Sequence, residues 1–126
     1  MRVVGIVPGA KLFASEDMYA DHYLFVNAYP KRISANGGTP VGLLSSDGYV
    51  IPEALALCEA FVFCGGARFY PYHFQIMEYA AKSGKPVLGI CLGMQMMNTY
   101  FLVAEEARRR GWDAPLLDLF EQMKKE

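Results

Sequence analysis

The stretch Lys85-Pro86-Val87-Leu88-Gly89-Ile90-Cys91-Leu92-Gly93-Met94-Gln95-Met96-Met97 decides the fold. A short apolar run stops at a cysteine with a glycine two residues to either side, and an apolar helical pattern starts at once. That is the layout of strand, sharp turn and helix, with a reactive side chain at the apex. Gly89 and Gly93 mark positions where a Cβ would collide with the crossing backbone. A helix beginning near Leu92 would aim its N-terminal dipole and free N–H groups at Cys91, which favours negative charge on the sulfur. The alternative is a buried core cysteine at a strand end, since free cysteine is among the most buried residue types. The flanking glycines tip the reading towards a nucleophile.

Upstream of the elbow, Pro71 to Ser83 reads as a helix closed by Gly84, with Glu78 and Lys82 paired at i,i+4. Before it, Ala60 to Cys64 (AFVFC) is a strand that ends in Gly65-Gly66, and Pro52 to about Cys58 is a short helix. Thr39 to Leu44 is another strand, and Ser45 to Gly48 is turn material. Asp21 to Asn36 is a helical stretch containing Pro30. Either it kinks there or the helix starts near Tyr29 with the proline in its first turn, and the second is preferred. Lys11 to Tyr19 reads as a loop. Arg2 to Val7 (RVVGIV) is a β-branched run without alternation, as expected of a strand buried on both faces. Downstream, the elbow helix runs from Leu92 to Arg110, with Met94, Met97, Phe101 and Ala104 on one side and Gly111 as its stop. Pro115 to Lys125 is a final amphipathic helix.

The order β-α-β-α-β-α-β-α-α with right-handed crossovers predicts an α/β fold: a doubly wound, flavodoxin-like parallel sheet of order 2-1-3-4, flanked by helices. Residues 1–126 form one domain, which reads as partial. The carboxyl ends of all four strands then share an edge, where Pro8-Gly9, Gly65-Gly66 and Cys91 converge. An elbow supplies one oxyanion donor from the N–H of the residue after the nucleophile, Leu92, and needs a second from a neighbouring strand's loop. Gly65-Gly66 is placed to give it, although an ordinary strand-to-loop turn is an equal reading of Gly-Gly alone.

The bulk composition excludes several classes. Of 126 residues 53% are hydrophobic, and 12 Lys+Arg balance 13 Asp+Glu, so there is no basic field for nucleic acid. Three cysteines (Cys58, Cys64 and Cys91) in no ligand spacing, with two histidines, predict neither a disulfide framework nor a metal site. No window approaches the ~20 apolar residues of a membrane span, and a cytoplasmic location is expected. Pro8-Gly9 lacks the Ser/Thr and glycine richness of a phosphate cradle, so no nucleotide, flavin or other cofactor is expected.

Gly89-Ile90-Cys91-Leu92-Gly93-Met94-Gln95, preceded by a strand ending in Gly65-Gly66, resembles the class I glutamine amidotransferase superfamily. Asn36-Gly37-Gly38-Thr39-Pro40 and the long helix after the elbow resemble its gamma-glutamyl hydrolase branch (the C26 peptidase type). The resemblance implies that Cys91 attacks a glutamine amide or gamma-glutamyl carbonyl to give a thioester. It implies that Gly66 and Leu92 N–H groups form the oxyanion hole, and that Gln95, Gly65 and Tyr70 border the small glutamine-like substrate, with Phe69 standing where that branch carries an aspartate.

The family also implies a base: a histidine oriented by a glutamate, both on a later segment. Here the histidines, His22 and His73, lie upstream of Cys91 and read as surface residues, and Glu121 and Glu126 read as solvated. The chain therefore reads as the N-terminal half of a triad enzyme. It would leave strand Val87–Ile90 with an unpaired edge, which predicts a homo-oligomer or a second polypeptide supplying the other half. The competing reading is a non-catalytic binding or oligomerisation module that keeps the elbow as a relic of the fold.

Overall fold

The structure, a computed structural model, describes residues 2–10, 23–66 and 68–126. The expected loop at Lys11–Tyr19, and Asp21 and His22 of the expected helical stretch, lie outside the described residues, while Tyr23–Leu24 of that stretch form a strand rather than helix. Four parallel strands carry the fold: β1 (Val3–Val7), β4 (Thr39–Gly42), β7 (Ala60–Phe63) and β8 (Val87–Gly89). They lie in the order β4-β1-β7-β8. In sequence order of those four, this is the 2-1-3-4 sheet of a doubly wound α/β fold.

The register places Val7 and Phe63 side by side, and Phe63 beside Gly89. Side chains alternate across a strand, so Val7, Phe61 and Phe63 point to one face of the sheet. All three are nearly inaccessible to solvent. They pack into one core with Leu55, Ile76 and Met96, from α2 (Pro52–Leu57), α3 (Pro71–Ser83) and α4 (Leu92–Arg110). Leu119 of α5 (Leu116–Lys125), 0% exposed, completes that core. At its far end α5 is clamped to α4 by two bonds, in which Arg110 Nη1 and Nη2 donate to the Glu126 carboxylate at 2.8 and 2.7 Å.

The first helix, α1 (Ala28–Ala35), begins one residue before Tyr29 and takes Pro30 into its first turn, where a missing N–H costs nothing. It ends in a turn at Gly37 (φ +84°), where the Gly37 and Gly38 N–H groups donate back to Ser34 and Ile33 carbonyls. The short antiparallel pair β2 (Gly9–Ala10) and β3 (Tyr23–Leu24) lies just past the end of β1.

The reading of the Ser45–Gly48 segment needs correction. Ser45 to Gly48 is more than a turn: β5 (Ser45–Ser46) and β6 (Tyr49–Val50) form a hairpin. Asp47 (φ +52°) and Gly48 (φ +89°) both take positive φ, the two-residue connection that matches strand twist. Gln75 of α3 holds the hairpin in place: the Val50 N–H donates to Gln75 Oε1 (2.8 Å) and Gln75 Nε2 donates to the Val50 carbonyl (2.7 Å). On α4 the buried stripe is Gly93, Met96, Tyr100, Val103 and Ala107. Of the residues read as sharing one side of that helix, Met94 and Phe101 are 63% and 57% exposed, while Met97 and Ala104 pack partly buried against the core. That helix carries two apolar stripes, and Gly93 decides between them because it alone can sit against β7.

Candidate active site

The elbow is built as the glycine spacing requires. A Cβ at Gly89 would lie 2.6 Å from the carbonyl carbon and oxygen of Gly93 and 2.7 Å from Met94 N. At Gly93 it would lie 2.3 Å from the Phe63 carbonyl oxygen. Real Cβ atoms do not approach backbone so closely, so helix α4 meets strand β8 at Gly89, and strand β7 at Gly93, only because both positions lack side chains. Between them Cys91 has φ +57° and ψ −111°. A non-glycine residue in this sparsely populated region persists only where its surroundings fix it, a form of strain that concentrates at functional sites. Cys91 is exposed, whereas Cys58 and Cys64 are buried. Burial pushes the Cys64 thiol up to about 11. It raises that of Cys58 too, against the opposing effect of Lys85. Both are therefore held as unreactive thiols.

The convergence expected at the carboxyl edge is present. An alanine Cβ at Gly65 would lie 3.6 Å from Cys91 Cβ, so the Gly-Gly loop stands directly beside the nucleophile. Gly66 is exposed. Leu92 opens α4, in the turn whose N–H groups have no partner within the helix. Gln95, one turn on, is exposed on the same edge, and its N–H donates to the Cys91 carbonyl at 3.2 Å.

Tyr70, expected on the pocket rim, is only 4% exposed. Its ring stacks on Tyr72 at 5.5 Å and lies under the Arg68 guanidinium. It supports the loop from beneath rather than offering a surface to a ligand. Phe69 also turns inwards, with its ring 5.6 Å from Phe120 and 6.3 Å from Phe74. An aspartate there would place a carboxylate in an aromatic cluster.

His73 is not the surface residue that the sequence predicts. It is 2% exposed, and the Tyr70 N–H donates to its Nδ1 at 2.9 Å. His73 thus reaches back from the third position of α3 to cap the helix, as a glutamate or glutamine does in a capping box. Burial pushes its pKa down to about 3, so it is a neutral structural group. The signal available in the sequence was its position two residues after Pro71 at the helix start. Among the described residues no cluster of three or more potential metal ligands exists, and no helix is long and apolar enough to cross a membrane.

The family model for class I glutamine amidotransferases matches residues 26–126, a span that takes in the Gly-Gly loop, the elbow and both C-terminal helices. The chain belongs to the class I glutamine amidotransferase family. It is 29% identical, over a 122-residue alignment covering 79% of this chain and 43% of the relative, to the glutamine amidotransferase-like protein RP404 of Rickettsia prowazekii. It is 40% identical over 81 residues to the imidazole glycerol phosphate synthase subunit HisH of Haloarcula marismortui, covering 64% of this chain and 31% of that subunit. The HisH subunit of Methanosarcina acetivorans is 38% identical over 84 residues, 64% of this chain and 37% of the subunit. The chain thus spans less than half the length of these relatives. The family model and these relatives do not single out its gamma-glutamyl hydrolase branch. The Asn36–Pro40 stretch, part of the likeness to that branch, runs from the C-cap of α1 through the turn into the first two residues of β4, at the opposite end of the sheet from Cys91.

Proposed function

We propose that this amidotransferase chain carries the attacking half of a cysteine amidase. Cys91 Sγ adds to the side-chain amide carbon of glutamine, or of a gamma-glutamyl amide as in the hydrolase branch, while the carbonyl oxygen is received by the N–H groups of Leu92 and Gly66. Collapse of that intermediate breaks the C–N bond, releases the amine and leaves a gamma-glutamyl thioester on Cys91, which water hydrolyses. Gln95 and Gly65 border the substrate. The observation that carries the reading is an exposed cysteine at φ +57° locked between two glycines, with Gly65 against its Cβ. The leaving amine needs a proton donor, and His73 is not available for it. We place the base outside the described residues, on a further segment or a second polypeptide.

The surface supports that division. Among the described residues strand β8 has β7 as its one sheet neighbour, and Leu88 on it is 58% exposed. Beside it Met94, Phe101 and Leu102 of α4 are each more than half exposed. On the sheet face away from the core, α1 leaves a groove of about 670 Å³ between Ile33, Val62 and Pro86. An open strand edge with apolar surface to both sides favours association. Size-exclusion chromatography with light scattering should therefore find this chain as a dimer or larger, and a monodisperse monomer at high micromolar concentration would contradict it.

The chemical proposal is tested with the chloroketone analogue of glutamine. Peptide mapping should place the adduct on Cys91, with at least about 100-fold less on Cys58 and Cys64, since buried, protonated thiols react slowly. Even labelling of all three, or none of Cys91, would leave the elbow as a relic in a non-catalytic module.

A further inference from the structure

The sheet ladder explains the Gly65-Gly66 loop only up to Cys64, whose N–H donates to the Val7 carbonyl at 3.3 Å. Beyond that point a second contact takes over. Pro8 and Gly9, just past β1, are both buried. A Cβ at Gly9 would lie 2.2 Å from the Gly65 carbonyl oxygen and 3.3 Å from Gly66 Cα. The Pro8-Gly9 backbone therefore lies directly against the loop that flanks Cys91. Its own height is set from α3: the Tyr72 hydroxyl donates to the Pro8 carbonyl at 2.9 Å, in a buried bond that spans the sheet-to-helix layer. Tyr72 is 2% exposed and its ring stacks on His73 at 4.4 Å, so the hydroxyl cannot swing away.

We propose that Tyr72 and Gly9 form a strut, from α3 through Pro8 to the Gly65-Gly66 loop, that positions this loop against Cys91. They are positioning residues: each acts through the loop that would receive the acyl oxygen. This rests on the amidase reading given above. Misplacing a catalytic group by about 1 Å costs on the order of 100-fold in rate, so a contact that fixes a backbone to within a fraction of an ångström has a kinetic signature.

Two alkylating agents separate loop position from thiol reactivity. With the glutamine chloroketone, the thiolate forms a C–S bond at the carbon beside the carbonyl, chloride leaves, and the ketone oxygen must seat against the loop. With iodoacetamide the thiolate displaces iodide, and no glutamine-shaped site is used. Tyr72→Phe, which removes one hydroxyl, should lower the maximal chloroketone rate at Cys91 about 5-fold, and Gly9→Ala about 20-fold or more, as partial losses of an oxyanion site do. The concentration giving half-maximal rate and the iodoacetamide rate should stay within about 2-fold, an electrophile without a seated oxyanion being insensitive to the loop. Far-UV circular dichroism and thermal melts identify a variant that fails to fold; should Gly9→Ala do so, Tyr72→Phe alone decides. Equal falls with both reagents, or no fall with either, would overturn the strut while leaving the amidase reading intact. A wild-type chain showing no preference for the chloroketone over iodoacetamide at Cys91 would overturn both.

Discussion

Gly93→Ala should destabilise the chain by about 3 kcal/mol, from overpacking against backbone plus one weakened hydrogen bond. The Cβ would fall 2.3 Å from the Phe63 carbonyl oxygen and 2.7 Å from Phe63 Cβ. Neither can yield easily. Phe63 is 0% exposed, its strand is paired on both sides, and its carbonyl already accepts the Ile90 N–H at 3.0 Å. Relief must come from α4 backing away from β7, which pulls Cys91 out of its φ +57° conformation. Urea unfolding followed by circular dichroism measures the loss, and wild-type stability in the alanine variant would mean that the elbow is looser than this geometry.

The second large effect is acid sensitivity centred on His73. In the folded chain its pKa is pushed down to about 3, whereas the free side chain titrates near 6.5. Above pH 6.5 both states are neutral and His73 contributes nothing to pH dependence. As pH falls from 6.5 towards 3 the unfolded chain binds a proton that the folded chain refuses, so stability declines by up to ~1.4 kcal/mol per pH unit. Between pH 6.5 and 4.5 that is about 2 kcal/mol. Glutamine at this position keeps an acceptor for the Tyr70 N–H without a titrating group. His73→Gln should therefore lose about 2 kcal/mol less than wild type over that interval, any carboxylate contribution being common to both. Parallel stability–pH curves for the two proteins would show that His73 is not held neutral by the fold.

The elbow was legible because it is local: strand, turn and helix are adjacent in sequence, and the two glycines record contacts that the fold makes within and beside that segment. The sheet order followed from the alternation of apolar runs and helices, because parallel strands need crossovers of one hand. What escaped was set by distant partners. The Ser45–Val50 hairpin carries a short signal, Asp47-Gly48, but it is held by Gln75 of α3. His73 looked like a surface residue since its cap lies in the backbone of Tyr70. The family resemblance alone places Tyr70 at the substrate, yet Phe120 and the rings of α3 draw that loop inwards. On α4, periodicity alone could not choose between the stripe of Met94 and Phe101 and the stripe of Met96 and Val103. The close approach of Gly93 to β7 makes that choice.

The proposed chemistry requires Cys91 to accept a gamma-glutamyl group. An activated donor, the gamma-(4-nitrophenyl) ester of glutamate, tests it without calling on a general acid, since nitrophenolate leaves unprotonated as the C–S bond forms and the C–O bond breaks. Intact-mass spectrometry after rapid acid quenching, followed by peptide mapping, should show one glutamyl group per chain, as a thioester on Cys91 that neutral hydroxylamine removes. The Cys91→Ser variant should show no such thioester. An unmodified chain, or a glutamyl group on Cys58, Cys64 or a lysine with Cys91 free, would contradict the account.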